Sequence, residues 1–168
     1  VAYDVTTWPI EEGRSMELIN LLYDNNDPTK WQMGAVIYDI EDNQGSPRSV
    51  NDSWVPAPVI TTIPETIDFG IVYVSETDST IVQIMNVGGS ELEITNFSDF
   101  SLDGIFSADT PDIPFTILPD SSFEFSIFFF AQDLSDYTDT LIIGNNTPQT
   151  SEYELVVLGT GGLPSVEY

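Results

Sequence analysis

The sequence predicts an all-β fold built around a β-sandwich. Apolar residues recur in short runs with a period of two, and helical periodicity is hard to follow over as many as about ten residues. Punctuation is dense: 11 Gly and 11 Pro, with many Asn, Asp, Ser and Thr, separate the runs. The chain has 168 residues, room for one domain or two small ones. Hydrophobic residues make up 41% and aromatics 12%, and mean hydropathy is -0.01, so the sequence is apolar enough to fold despite a formal charge of -25.

Taken in order, the first 51 residues hold apolar alternation at 16–19 and 36–38, joined by the turn-rich run Asp24-Asn25-Asn26-Asp27-Pro28. About 50 residues without Cys or a metal rarely stand alone. Residues 52–61 contain Pro56 and Pro58, which bias the backbone to an extended, unladdered course, and are read as a linker. Strands are expected at 81–86, 92–97, 114–118, 123–130, 138–143 and 153–158. The turns between them, Gly88-Gly89-Ser90, Pro119-Asp120-Ser121-Ser122 and Asn145-Asn146-Thr147-Pro148, supply the φ values and local side-chain hydrogen bonds that reversals need. Six or seven strands in about 100 residues suggest a sandwich. Residues 162–168 read as a C-terminal linker. The start at Val1 and the run Gly161-Gly162-Leu163-Pro164 suggest a piece of a longer chain.

The charge balance narrows the function. Three Lys and Arg against 28 Asp and Glu repel phosphate backbones and anionic lipids, so neither nucleic acid nor a membrane surface is expected as a partner. No stretch approaches the roughly 18 to 20 apolar residues of a membrane span. The absence of Cys and His excludes thiol nucleophiles, disulfides and every His-based triad or base. Carboxylate pairs could hydrolyse glycosides, but nothing in the sequence places two of them in a cleft, and a non-catalytic role is expected. A charge of this size strains a compact state unless salt or divalent cations screen it, which favours a saline or calcium-rich exterior.

In residues 62–161 the ordered runs Ile67-Asp68-Phe69-Gly70-Ile71-Val72, Gln83-Ile84-Met85-Asn86-Val87-Gly88, Leu92-Glu93-Ile94-Thr95, Phe115-Thr116-Ile117-Leu118-Pro119, Tyr137-Thr138-Asp139-Thr140-Leu141 and Leu158-Gly159-Thr160-Gly161 resemble the bacterial choice-of-anchor D modules, relatives of the Hydin-type Ig-like domains. The resemblance implies a seven-stranded Ig-like sandwich from exported, multidomain surface proteins that are not known as enzymes. The runs Val5-Thr6-Thr7-Trp8-Pro9, Gly13-Arg14-Ser15-Met16-Glu17-Leu18-Ile19, Asp24-Asn25-Asn26-Asp27-Pro28 with Trp31, and Gly45-Ser46-Pro47-Arg48-Ser49-Val50-Asn51 are similar to the end of a bacterial lamin-tail domain, another Ig-like β-fold. With its opening strands missing, that half module would pack on the sandwich or be completed by strands of another subunit.

Candidate sites follow from the period-two faces. In 123–130 the inward set is Phe123, Phe125, Ile127 and Phe129, which leaves Phe128 and Phe130 outward. With Ile81 and Met85 of the neighbouring strand they would form an apolar patch, which is either covered by the N-terminal piece or the linker or serves as a contact for another copy or another surface-protein domain. Ile142, Val156 and Leu158 offer a weaker patch on the opposite sheet. Asp24, Asp27, Asp39, Glu41 and Asp42 collect the oxygen ligands that calcium takes, without forming a calcium motif; the Asp24 loop reads first as a turn capping its own backbone. Asp133, Asp136 and Asp139 read as a solvated acidic face. Trp54 is the open candidate for stacking on a sugar, whereas the lamin-tail resemblance makes Trp8 and Trp31 packing residues.

Overall fold

The computed structural model describes residues 6–9, 11–37, 41–45 and 54–164. It divides into two compact units, Val1–Ala57 and Pro58–Tyr168. Among the described residues no helix is long and apolar enough to cross a membrane.

In the first unit β1 (Met16–Leu18) and β2 (Trp31–Met33) pair antiparallel, with Met16 opposite Met33 and Leu18 opposite Trp31. The register sets apolar side chains across from each other, the arrangement that stabilises a two-stranded ribbon. Buried Asn20 donates to the Val55 carbonyl at 2.9 Å and accepts from Leu22 N–H at 2.9 Å, while Val55 N–H donates to the Ile19 carbonyl at 2.8 Å. The front of the Pro-rich segment is therefore hydrogen-bonded to this unit. Of the alternation at 36–38, Val36 and Ile37 lie outside both strands and are about half exposed, at 54% and 55%, with Ile37 in an isolated bridge to Gln44, while Tyr38 lies outside the described residues. The chain uses Trp31 and Met33 instead, because these give β1 its apolar partners.

The second unit has two sheets. One holds β4 (Thr66–Tyr73), β11 (Glu152–Gly162), β10 (Asp136–Asn145), β6 (Leu92–Phe97) and β8 (Phe115–Ile117), in that spatial order; the other holds β3 (Ile60–Ile63), β5 (Thr77–Asn86), β9 (Ser122–Phe130) and β7 (Phe106–Asp109). All neighbours are antiparallel except β4 and β11. This is an Ig-like β-sandwich, with short β3, β7 and β8 bringing the strand number above the seven expected. Strand β3 starts at Ile60, within the range read as linker, and β11 continues to Gly162.

Alternation builds the core. In β9 Phe125, Ile127 and Phe129 are buried, and Val82 and Ile84 of β5, Leu141 and Ile143 of β10, and Leu155 and Val157 of β11 meet them between the sheets. Phe129 is the largest fully buried side chain and stacks near Phe69, Phe106 and Tyr137, with ring centroids 5.1 to 5.6 Å away. It fits because β11 carries glycine opposite: a Cβ on Gly159 would meet the Phe129 ring at 2.5 Å. Gly70 serves a different need. Its φ of +64° lies where L residues are strained, its N–H is held by Asp68 at 2.8 Å, and the β4–β11 register shifts nearby.

Two buried amides tie the strand ends. Asn86 donates to the carbonyls of Ser90 and Ile117 at 2.7 and 3.0 Å and accepts from Gly88 N–H at 3.0 Å, which joins β5, its following turn and β8. Asn145 donates to Ile143 and Thr150 carbonyls at 3.0 and 2.8 Å and accepts from Thr147 N–H at 2.9 Å.

Candidate functional site

The outer face of the four-stranded sheet is set by the same alternation as the core. Because Val82, Ile84 and Asn86 point inward, Ile81, Gln83 and Met85 point outward; because Phe125, Ile127 and Phe129 point inward, Phe128 and Phe130 point outward. The register puts Thr77 opposite Phe130, Ser79 opposite Phe128, Ile81 opposite Ser126 and Gln83 opposite Glu124. Ile81 thus lies diagonal to Phe128, within reach of a large side chain across the ladder. Ile81 is 60% exposed, whereas Phe128 and Phe130 are half-buried.

Met85 is set apart from this cluster. Gln83 donates to the Glu124 carboxylate across the ladder, and that polar pair stands between Met85 and Ile81 on the same face. Ile63 of edge strand β3, opposite Gln83 and 55% exposed, takes a place diagonal to Ile81 that the sequence reading left empty. The apolar surface is Ile63, Ile81, Phe128 and Phe130, with Met85 beyond the polar pair. Ile63 was not legible because it lies two residues past the 52–61 linker range, before Pro64, in none of the strands expected from alternation. On the opposite sheet Ile142, Val156 and Leu158 also face outward and are half-buried, with Glu154, Thr140 and Thr138 opposite them.

Asp24 and Asp27 are engaged by their own loop. Asp24 accepts from Asn26 N–H at 2.8 Å, and Asp27 accepts from the Thr29 N–H at 2.9 Å and its hydroxyl at 2.7 Å, capping the 3-10 turn Pro28–Lys30. The Thr29 hydroxyl and N–H hold the Asp27 carboxyl below its ordinary range. Glu41 and Asp42 are exposed, with Asp42 in the left-handed region at φ +59°, and Asp39 lies outside the described residues. Among the described residues no three His, Cys, Asp or Glu side chains converge as a metal site would require.

Asp139, read as part of a solvated face, is buried. Its carboxylate accepts from the Ser101 hydroxyl at 2.9 Å, Leu102 N–H at 2.8 Å and Thr140 N–H at 2.8 Å. Burial alone would raise its pKa, but these donors outweigh it and hold the pKa low. They also pin the 98–105 connection to β10. Asp133 accepts from the Tyr137 hydroxyl at 2.8 Å, and Asp136 from the Thr160 hydroxyl at 2.7 Å. Trp54 is 45% exposed. Trp8 and Trp31 pack edge-on at 6.1 Å, and Trp31 donates to the Asn25 carbonyl at 3.0 Å.

With two Ig-like sheets and this distribution of side chains in view, comparison with known proteins places the second unit. Residues 58–160 match the HYDIN/CFA65/VesB-like Ig-like domain. The chain belongs to that family. A Porphyromonas gingivalis W83 protein of unknown function is similar in structure with a TM-score of 0.52 and 21% identity, over 61% of this chain and 46% of that one. A PapD-like domain of human CEP192 gives 0.50 and 12%, over 65% of this chain and 89% of that one. Both likenesses concern the fold. The chain spans less than half the length of the Porphyromonas protein. No curated protein matches the sequence.

Proposed function

We propose that this chain is a non-catalytic structural or adhesive module of an exported bacterial surface protein, which joins copies of itself into a fibre or layer. The observation that carries the reading is the outward apolar cluster of Ile63, Ile81, Phe128 and Phe130 on an otherwise polar sheet face. Burying each such side chain stabilises a contact by about 1.5 to 3 kcal/mol, less whatever part is already covered. In the same reading residues 62–161 are a choice-of-anchor D module and residues 1–51 the second half of a lamin-tail domain; the motif runs quoted above support both. Between acidic copies the contact needs screening, and calcium is proposed as one of the cations that provide it.

The double variant Phe128→Ser, Phe130→Ser keeps every inward residue of β9 and is expected to stay folded. Wild-type protein should show concentration-dependent association by light scattering at about 0.5 M NaCl, where the Debye length is only a few ångströms. The variant should remain monomeric at the same concentration. Equal association of the two would remove this face as the contact.

A further inference from the structure

A cavity of about 440 Å³ lies between the sheets beside β7. Phe97, Phe100, Phe106 and Leu141 give it apolar walls, and exposed Asp99 and Asp103 stand at its mouth. Cavities of this size hold one or two large side chains, and their apolar walls reward burial. Strand β7 ends its sheet here: among the described residues β9 is its strand neighbour on one side and no strand pairs with the other.

The ladder phase shows what that free edge offers. Phe130 N–H donates to the Ile105 carbonyl at 2.8 Å, so Ser107 and Asp109 turn their backbone groups toward β9. By alternation, Phe106 and Ala108 direct their N–H and C=O groups away from it, along the open edge. The side chains of these same two residues face inward and line the cavity. A strand added at this edge would pair with Phe106 and Ala108 and point its alternate side chains toward Phe97 and Phe100. The surroundings select its charge. Asp99, Asp103 and Asp109 are unopposed by any base of the same domain, because Arg14, Lys30 and Arg48, the only basic residues of the chain, all precede residue 58.

We propose that the cleft beside β7 takes an extended segment of another protein, in which apolar residues alternate with Lys or Arg, as a fifth strand of this sheet. Main-chain bonds to Phe106 and Ala108 supply register, the cavity takes the apolar side chains, and the carboxylates at the mouth meet the cations. A second copy of the Ig-like domain lacks those cations, so this site is distinct from the self-contact on the outer face. The two also respond oppositely to salt, which weakens attraction to a basic segment and relieves repulsion between acidic copies.

The test uses the full chain and a nine-residue synthetic peptide alternating Lys with Val and Phe. Titration followed by amide chemical shifts should saturate, with the changes centred on Phe106–Asp109 and residues 98–104. Raising NaCl from about 0.05 to 0.5 M should weaken binding severalfold. Ala108→Pro, which removes an edge N–H where proline is tolerated, should weaken it about tenfold or more; Asp99→Asn with Asp103→Asn should weaken it about fivefold. The shift map and the Asn variants decide the matter if the proline variant misfolds. Lack of saturation at millimolar peptide, changes centred on another strand edge, or equal binding of a peptide with Glu in place of Lys would each overturn the proposal.

Discussion

Gly159 and Phe129 are one packing decision made by two residues far apart in sequence. The ring occupies space that a Cβ on β11 would need, with the nearest approach at 2.5 Å. Gly159→Ala should therefore cost about 1 to 3 kcal/mol, the range for overfilling a close-packed core, and lower the midpoint of thermal unfolding seen by circular dichroism. Asp139 is the other residue whose role depends on its setting. Its folded pKa is depressed, so the stability it contributes is present above its unfolded value near 3.8 and is lost as pH falls through the folded value. Asp139→Asn leaves donors of the 98–105 connection poorly matched and should cost about 1 to 3 kcal/mol at neutral pH. In urea titrations across pH, the variant should lose less stability than wild type on going below pH 4; parallel acid limbs would show that Asp139 does not contribute to them.

At the scale of elements, the alternation in β9 carries most of what could be read in advance. Its inward Phe125, Ile127 and Phe129 and outward Phe128 and Phe130 lie on the faces the period of two assigns. The strands at 92–97, 123–130 and 153–158 were legible for the same reason: several apolar residues in phase, bounded by turn formers. Strands β3 and β7 were not. The first is four residues between prolines, and the second takes its identity from pairing with β9 rather than from its own pattern. The same limit hid Ile63 from the candidate surface and placed Met85 too near its centre, since a one-dimensional pattern says which side a residue faces but not which cross-strand pair separates it from its neighbours. Asn86 ties β5 to β8 by bonds that no alternation reveals. Asn86→Ala should leave the Ile117 and Ser90 carbonyls without their buried donor, costing about 1 to 3 kcal/mol; hydrogen exchange should then show lost protection concentrated in β8 and the turn after β5.

For the whole molecule the dominant quantity is charge. A formal -25 spread over 168 residues opposes compaction, and added salt relieves it. The thermal midpoint should rise steadily between about 0.02 and 0.5 M NaCl. Calcium chloride at matched ionic strength separates a general counter-ion effect from specific binding: screening predicts coincident curves, whereas a bound ion would add a further shift that a chelator reverses.

The all-β class, the strand faces, the acidic character and the family resemblance of the second unit can be read along the chain, because each depends on composition or on the order of residues along one strand. Which apolar side chains share a surface, which carboxylate is buried and where an unpaired edge borders a cavity emerge only once the strands are assembled. Those depend on register and sheet order, relations between residues as far apart as Phe129 and Gly159, and local periodicity holds no information about them.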